Sequence, residues 1–568
     1  MSEKEKEKRN EFPSIIVDST HNIQYKKNEF LGRGAFGICF QITDMKKGNV
    51  YAGKFVSKEV VKKHKMKEKL IQEIYIHRTL NHSHIVAFYG FFEEETYVCI
   101  VLELCQNRSM AELVKRRKFI TEPEVRYYLK QVLSAVQYLH ENSIIHRDLK
   151  LGNFFINHKM KVKIGDFGLA TRIESEERKK TLCGTPNYIA PEIIEKKGHG
   201  LEVDVWSIGC IIFTLLVGKP PFEANTLKET CQRILKCTYS VPLTVSTRAR
   251  DLIERILVKN PSIRPTVNDL IKDQFFTKSY TPLSLPASCL VMAPTFDVAE
   301  HASFVQKEPL KKLNICNTSK SPNTDMYQEQ SVRLNAERFP FPESYNFLTE
   351  LKAQLLKALD SKPTEKHPAS VEETEDPAAQ PMIWISSWVD YTDKYGFAYS
   401  LCDRSVGVAF VDRTKLVLMP NGNNVQYVDA KGSELYFTVS QFDESLTKKM
   451  KLLGVFQQHI ATLTRTGAYI PVQESDCLTR LPVLCNWMRY NRTIVMQLSN
   501  GTLQINFFPD HSKMILCPLM GAVTLVDRNE AFRTYRLSLI EQHGCSKDLY
   551  WRLRYAVRRI NEMLQLLP

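Results

Sequence analysis

His146-Arg147-Asp148-Leu149-Lys150-Leu151-Gly152-Asn153 is the stretch of sequence that decides the fold. It reads H-R-D-L-x-x-x-N, and a second motif, D-F-G, follows at residues 166–168. An H-R-D triplet alone can arise by chance in an ordinary polar loop. The eight-residue pattern together with the second motif is hard to produce by chance, so we interpret both as functional.

The two motifs resemble the catalytic loop and the metal-binding motif of protein kinases. Phosphoryl transfer in that family depends mainly on positioning and on neutralising charge. The resemblance implies that Asp148 orients the substrate hydroxyl and that Lys150 contacts the transferring phosphate. It also implies that Asn153 and Asp166 hold magnesium ions.

Length and composition agree with a soluble protein of several domains. At roughly 150 residues each, 568 residues suffice for about two to four domains. The net charge of +14 favours anionic partners without choosing among them. The 14 cysteines include no C-x-x-C pair, which is typical of a reducing compartment. The N-terminus has no signal-peptide pattern, and the most apolar run, 208–217, is too short to span a bilayer, so we expect no membrane insertion.

A glycine-rich segment near the N-terminus reads G-x-G-x-x-G at Gly32, Gly34 and Gly37. Nucleotide-binding Rossmann folds share this pattern, so it is weak alone. The flanking residues are strand-like on both sides, which favours a hairpin over ATP phosphates rather than a strand-to-helix turn. The glycines let backbone N–H groups approach the phosphates closely.

The next segments complete the expected nucleotide site. Lys54, in an apolar strand, is expected to bind the α- and β-phosphates. Glu73, in a segment with helical apolar spacing, is its expected ion-pair partner, although a surface glutamate is the alternative. Leu102 is the expected gatekeeper before the hinge, where Glu103 and Cys105 present backbone groups to adenine. The apolar residues expected around the base are Leu31, Cys39, Ala52 and Phe155, which plain core packing would explain as well.

The segment after D-F-G carries the expected regulatory residue. Thr181 follows three basic residues, and once phosphorylated it could pair with Arg147 and order the loop. Glu192 and Arg264 are expected to form a structural ion pair rather than a catalytic one.

The residues around Asp148 favour serine/threonine specificity. Lys150 stands two residues after the aspartate, and Thr185 lies in a G-T-P sequence. Both features resemble serine/threonine kinases more than tyrosine kinases. Thr185 is expected to form hydrogen bonds near Asp148 and Lys150.

The second half of the chain contains an internal sequence repeat. Alternating apolar residues, a turn at Asn-Gly and a helical pattern occur twice, about ninety residues apart, and predict a duplicated α+β module. Between the halves, composition shifts to Pro, Ser, Lys and Glu, which indicates a linker. The predicted boundaries are a disordered tail (1–22), a kinase domain (23–277), a linker with an amphipathic helix near 343–361 (278–380), and two modules (381–465 and 466–568).

At this point nearly the whole chain resembles the polo-like kinases, closest to their mitotic branch. The stretches that carry the resemblance are 388–391, 393–396, 405–408, 504–508, 510–513 and 517–520. The implied fold is α+β: a bilobal kinase followed by two polo boxes, each an antiparallel sheet with a helix. The leucine-rich helix resembles the family's cap, which is expected to wrap the first box.

In this family the two boxes bind phosphoserine or phosphothreonine peptides in the groove between them. The matching residues are Trp388, which would contact the peptide, and His511 and Lys513, which would hold the phosphate. Without the resemblance, His511 and Lys513 would be read as part of an exposed polar turn. Gly37 is a departure, because this position is often alanine in the family.

The resemblance implies a serine/threonine kinase that uses ATP and Mg²⁺ and acts in mitosis. The implied partners are phosphorylated proteins, protein substrates and an upstream activating kinase. The implied locations are the cytoplasm and nucleus, with centrosome or spindle pole, kinetochore and midbody during division. The alternative is a catalytically weak, phospho-dependent scaffold, which the presence of all the expected catalytic residues disfavours. A nucleic-acid partner is not expected, since no such motif is present, and the basic cluster at 115–118 could be an import signal or a solvated helix end.

Overall fold

The computed structural model describes residues 12–34, 37–62, 64–173, 184–296, 344–366, 374–463, 478–528 and 531–566. The first lobe is a six-stranded antiparallel sheet in the order β1-β2-β3-β4-β6-β5. Leu70 and Ile74 of its main helix pack on Val56 of the sheet. The elements of this lobe are β1 (Ile15–Asp18), β2 (Ile23–Arg33), β3 (Ile38–Asp44), β4 (Val50–Ser57), α1 (Lys58–Val61), α2 (His64–His77), β5 (Phe88–Glu93) and β6 (Tyr97–Leu102).

The second lobe is mainly helical around one large apolar core. Its central helix is buried on nearly every side and ends at Gly218, whose φ of +89° is in the left-handed region that favours glycine. The elements of this lobe are α3 (Met110–Arg117), α4 (Glu122–Glu141), β7 (Ile144–Ile145), β8 (Phe154–Ile156), β9 (Val162–Ile164), β10 (Thr171–Arg172), α5 (Pro191–Ile194), α6 (Glu202–Val217), α7 (Leu227–Lys236), α8 (Thr247–Ile256), α9 (Val267–Ile271) and α10 (Gln274–Thr277).

The C-terminal half contains the predicted duplication. Each unit is a six-stranded antiparallel meander, followed by one helix in the first unit and by two in the second. After α11 (Ser344–Asp360), the first unit comprises β11 (Ile385–Tyr391), β12 (Gly396–Leu401), β13 (Val406–Phe410), β14 (Lys415–Leu418), β15 (Asn424–Val428), β16 (Glu434–Thr438) and α12 (Thr447–Leu463). The second comprises β17 (Leu484–Arg489), β18 (Thr493–Leu498), β19 (Leu503–Phe507), β20 (Ser512–Cys517), β21 (Ala522–Val526), β22 (Phe532–Arg536), α13 (Leu537–His543) and α14 (Lys547–Leu566). No helix in the described ranges is both long and apolar enough to cross a bilayer.

The assignment of residues 1–22 to a disordered tail is wrong for the part that the structure describes. Strand β1 pairs antiparallel with β2, and Ile16 is fully buried. Phe12 packs against Phe55 and Tyr97, with ring centroids 4.9 Å and 5.4 Å apart. These partners are distant in sequence, so the local composition gave no sign of them.

The assignment of 278–380 as a linker also needs correction at both ends. Leu285, Cys289 and Leu290 lie in the apolar core of the second lobe. At the other end, the Asp376 N–H donates to Thr534 O in β22 (2.7 Å), and the Arg116 guanidinium of the kinase lobe donates to Ala378 O (2.8 Å). The residues at both ends of the predicted linker are therefore packed against folded domains.

Helix α11 forms where the leucine spacing predicts it, but it does not wrap the first box. Leu348, Leu351 and Leu355 are fully buried in the apolar core of the second box, together with residues of α13 and α14. An amphipathic pattern identifies an apolar face, not the surface that the face packs on. The expectation that the helix caps the first box is therefore wrong.

Candidate functional site

Several hydrogen-bond donors hold the carboxylate of Asp148 in the catalytic loop. Lys150 Nζ lies 2.7 Å from Asp148 Oδ2, and Thr185 Oγ1 donates to Asp148 Oδ1 at 2.7 Å. Lys150 Nζ also donates to Thr185 Oγ1 (3.0 Å). Asn153 Nδ2 donates to the backbone oxygen of Asp148 (2.8 Å) and lies 3.2 Å from Oδ2. The structure thus brings together the four residues that the sequence placed in this site.

The loop itself is fixed by a residue that the sequence reading did not single out. Asp204 of α6 is fully buried, and its carboxylate accepts the backbone N–H groups of His146 (3.0 Å) and Arg147 (2.9 Å). It also contacts His140 Nε2 at 3.0 Å. Burial would raise the pKa of Asp204, but these hydrogen bonds, that of His140 first, outweigh it and lower the pKa. The available signal was an aspartate between Val203 and Val205, close to the start of a mainly apolar helix.

Lys54, Glu73 and Asp166 meet at the back of the cleft between the lobes. Lys54 Nζ lies 2.6 Å from Glu73 Oε1 and 3.9 Å from Asp166 Oδ1. Burial alone would lower the pKa of the Lys54 ammonium, but Glu73 and then Asp166 raise it above its usual range. A permanently charged ammonium therefore lies beside a half-exposed carboxylate, an arrangement suited to a phosphate and a divalent cation.

The residues expected around adenine lie on β2, β3, β4, β8 and the end of β6. The strand register places Cys39 beside Lys54, and Ala52 beside Leu102. The residues expected around the base, Leu31, Cys39, Ala52, Leu102, Glu103, Cys105 and Phe155, are all half-buried. Of the glycines expected at the phosphates, Gly32 and Gly37 are half-buried and Gly34 is exposed. Burial raises the pKa of Cys39 to about 11 and that of Cys105 to about 12, so both thiols are neutral at physiological pH.

Two details fix the edges of this cleft. The Glu103 carboxylate accepts Lys163 Nζ (2.8 Å) and the Ala87 N–H (3.1 Å), which ties the hinge to β9. At the glycine-rich turn, the Gly34 N–H donates to Gly37 O (2.8 Å). A Cβ at Gly37 would lie 2.6 Å from Phe55 O, so an alanine at this position would require the backbone to shift.

Three rings in contact connect α2 to the D-F-G motif. The Phe167 ring lies 4.7 Å from the His77 ring and 5.1 Å from the His146 ring, and all three residues are buried. His77 Nε2 lies 2.7 Å from Val86 O. Burial lowers the pKa of His77 to about 4, so the ring is neutral at pH 7.

His77 makes the stability of the kinase domain sensitive to acid. The pKa of His77 is lower in the folded protein than in the unfolded chain. The neutral ring therefore contributes its full stabilisation to the folded state above the unfolded pKa of 6.5, and this stabilisation is lost as the pH falls toward about 4. The loss over this interval amounts to at most about 3 kcal/mol. We expect His77→Leu to unfold at a lower temperature at pH 7, because Val86 O loses its partner, and to lose less stability than the unmutated protein between pH 6.5 and 4.5. Scanning calorimetry measures the stability of the kinase domain at each pH, and the kinase transition is identified as the one that an ATP analogue shifts. If the stability of the two proteins depends on pH to the same extent, the prediction is wrong.

The segment around Thr181 lies outside the described residues. Its expected partner Arg147 has a φ of +64°, and its Nε donates to Leu169 O (2.8 Å).

The Glu192 carboxylate accepts hydrogen bonds from both terminal nitrogens of Arg264, at 2.6 Å and 2.8 Å, in a buried bidentate pair. That pair contacts no residue of the catalytic loop among the hydrogen bonds of the described residues.

A second candidate site lies between the two C-terminal units. Lys513 Nζ of the second unit donates to Ser386 O in β11 of the first (2.9 Å), two residues before Trp388. The Trp388 ring stacks on Phe397 at 5.6 Å, and the Arg489 guanidinium lies 5.7 Å from its centroid. His511 occupies the exposed turn before β20, with a φ of +54°. The structure therefore brings Lys513 to the strand that carries Trp388.

Comparison with known proteins covers both sites. Residues 25–276 match the model of the protein kinase domain, and residues 393–450 and 491–553 match the duplicated polo-box region. The chain is 50% identical to the serine/threonine-protein kinase PLK1 of Xenopus tropicalis over 561 residues, which are 98% of this chain and 93% of that protein. It is 48% identical to the serine/threonine-protein kinase polo of Drosophila melanogaster over 575 residues, covering 100% of this chain and 99% of that protein. It is also 42% identical to the serine/threonine-protein kinase plk-2 of Caenorhabditis elegans over 580 residues, covering 99% and 91%.

Proposed function

Since this chain belongs to the polo-like family and is a serine/threonine protein kinase with two polo boxes, we propose that its boxes bind phosphorylated proteins and bring the kinase to them during mitosis. The observation that carries the proposal is the contact of Lys513 with the β11 strand of Trp388. It brings a cation of the second box to the strand of the first box that carries Trp388, where we propose a peptide-binding groove between the boxes. A phosphate on serine or threonine adds close to two negative charges and three acceptors, which such a groove can recognise.

The nucleotide would occupy the cleft between the lobes. Lys54 and the backbone of Gly32, Gly34 and Gly37 would hold the phosphates. Asp166 and Asn153 would hold magnesium ions, which supply the positive charge that phosphate oxygens need during transfer. The fit rests on the Lys54–Asp166 distance of 3.9 Å and on the half-exposed Asp166 carboxylate.

The catalytic loop would act on the substrate hydroxyl. Asp148 is held by Lys150, Thr185 and Asn153, so one of its oxygens can orient the hydroxyl of a substrate serine or threonine with little reorganisation. Lys150 Nζ, next to that carboxylate, can stabilise charge on the transferring phosphate. The Thr185 hydroxyl donates to Asp148 and accepts from Lys150, so it holds the two side chains in a fixed relative position.

The similarity to PLK1 and polo supports a role in cell division. We propose residence in the cytoplasm and nucleus, with recruitment to centrosomes or spindle poles, kinetochores and the midbody during division. The proposed partners are phosphoserine- and phosphothreonine-containing proteins, protein substrates and an upstream activating kinase.

One experiment tests both halves of the proposal on the full chain. Purified protein is assayed for transfer from MgATP to casein, and it is also used to pull peptides from a library of phosphorylated and unphosphorylated pairs. We expect transfer to serine and threonine, and enrichment of phosphorylated peptides by at least tenfold. Absence of enrichment would refute targeting by phosphate, and absence of transfer would favour the scaffold alternative.

Thr181 is proposed as the activating phosphorylation site. Arg178, Lys179 and Lys180 precede it, a pattern suited to a basophilic upstream kinase acting in trans. We expect Thr181→Val to lose the activation that such a kinase produces, and Thr181→Asp to recover it only in part, since one carboxylate mimics a phosphate poorly. Activity is measured before and after treatment with the upstream kinase, with Ser175→Ala in the same segment as control. Full activation of Thr181→Val would show that the site is elsewhere.

A further inference from the structure

The turn that carries His511 is clamped by an arginine of the last helix. Arg552 of α14 donates one terminal nitrogen to Asp510 Oδ2 (2.6 Å) and the other to Ser512 Oγ (2.7 Å). Its guanidinium lies 4.6 Å from the centroid of the Phe507 ring, and its Nε donates to Asp548 (2.9 Å). One largely buried side chain thus contacts the residues on both sides of His511.

The first polo box repeats this arrangement with a lysine. Lys449 of α12 lies 2.7 Å from Asp412 Oδ2 and 2.7 Å from Thr414 Oγ1, over the ring of Phe410 (5.5 Å). Arg413, between the two contacted residues, has a φ of +68°, as His511 has one of +54°. The Thr414 N–H and the Ser512 N–H each donate to the preceding aspartate at 3.1 Å. A cation from the helix that closes the box therefore fixes the same turn in both boxes.

The contacts of Arg552 offset two unfavourable effects at the turn that carries His511: backbone strain and charge repulsion. A non-glycine residue with positive φ is strained and persists only where its surroundings hold it. An unpaired Asp510 carboxylate, one residue from His511, would repel a phosphate. The Arg552 fork holds the turn and neutralises that carboxylate with the same two contacts.

We propose that Arg552 is a positioning residue for the phosphate contact of His511. The inference rests on the proposed phosphopeptide site. Arg552 does not touch the phosphate; it holds the turn in the conformation that presents His511 and removes the repulsion of Asp510.

A double-mutant cycle on the full chain tests this. Affinity for a peptide containing Ser-phosphoThr-Pro is measured by calorimetry for Arg552→Gln, His511→Ala and the double variant. We expect each single change to weaken binding by about tenfold, and Arg552→Gln to weaken it by less than about twofold once His511 is absent, because residues that act through one another are not additive. Arg552→Lys should lose about threefold or less, since a lysine makes both contacts in the first box.

Lys449→Met is the matched control. It removes the same clamp from the first box and should shift the thermal unfolding of the boxes to a similar degree while changing phosphopeptide affinity by less than about twofold. If Arg552→Gln does not fold, the cycle is completed with Arg552→Lys.

Three results would overturn the inference. They are unchanged affinity in Arg552→Gln, an equal fold-loss with and without His511, and an equal loss in Lys449→Met. Unchanged affinity in His511→Ala is a separate outcome, because it would refute the phosphate site itself and with it the role of Arg552.

Discussion

Asp166→Asn is expected to abolish phosphoryl transfer while the protein stays folded. The asparagine keeps the shape of the side chain but removes the negative charge that a magnesium ion needs next to Lys54. Loss of a group that organises charge in the transition state costs about 4 kcal/mol, which is on the order of a thousandfold in kcat. Incorporation of labelled phosphate into casein measures the effect.

Lys54→Met, in the same cleft, is a less specific test of catalysis because it also affects stability. That change leaves Glu73, which is 6% exposed, without its cationic partner. An unpaired buried carboxylate costs several kcal/mol, so this variant should lose stability as well as activity. Asp166 is half exposed and lies outside the apolar core, so its replacement separates catalysis from folding.

The control for Asp166→Asn is Asp251→Asn, the same chemical change on the exposed face of α8. It should leave turnover within about twofold and thermal unfolding unchanged. Near-normal turnover of Asp166→Asn would contradict the role proposed for this carboxylate and, with it, the placement of the metal site.

Contacts between residues close in sequence, or within motifs of fixed spacing, could be predicted from the sequence. The network of Asp148, Lys150 and Asn153 spans a few residues, so its members meet in any fold that forms the loop. The duplicated meander was predicted because alternation with period two shows directly in the sequence. Polo-like resemblance supplied the roles, which geometry alone does not assign.

Partners distant in sequence could not be predicted. Leucine spacing predicts α11 within a residue or two, but its apolar face fits either box equally well on sequence grounds, and it packs on the second. Phe12 looked like part of a polar tail because its ring partners are distant in sequence. Asp204 and Arg552 act on loops far from them along the chain, so only the fold reveals what they hold.

The double change His511→Ala, Lys513→Met is expected to remove phosphopeptide binding and spare catalysis. A phosphate held by an imidazole and an ammonium gains charge-assisted hydrogen bonds that an unphosphorylated hydroxyl cannot make. At about 1.5–3 kcal/mol for each such bond, discounted because His511 is exposed, the loss is roughly 2–4 kcal/mol, or about 30-fold to several hundred-fold in affinity. Calorimetry with a Ser-phosphoThr-Pro peptide measures it, and activity on casein should stay within about twofold.

The first box supplies the control that isolates the position of the charges from their number. Arg413→Ala, Lys415→Met removes a basic pair from the equivalent turn, with the same spacing and a similar positive φ. That turn lies between β13 and β14, whereas Lys513 reaches the β11 strand of Trp388. If net charge alone attracted phosphopeptides, the first-box variant, which removes at least as much positive charge, would weaken binding at least as much, and high salt would remove the loss in both variants. If the groove between the boxes is the site, only the His511 and Lys513 variant loses binding and leaves centrosomes and kinetochores in dividing cells. Unchanged affinity in that variant would refute the site even if the kinase half acts as described.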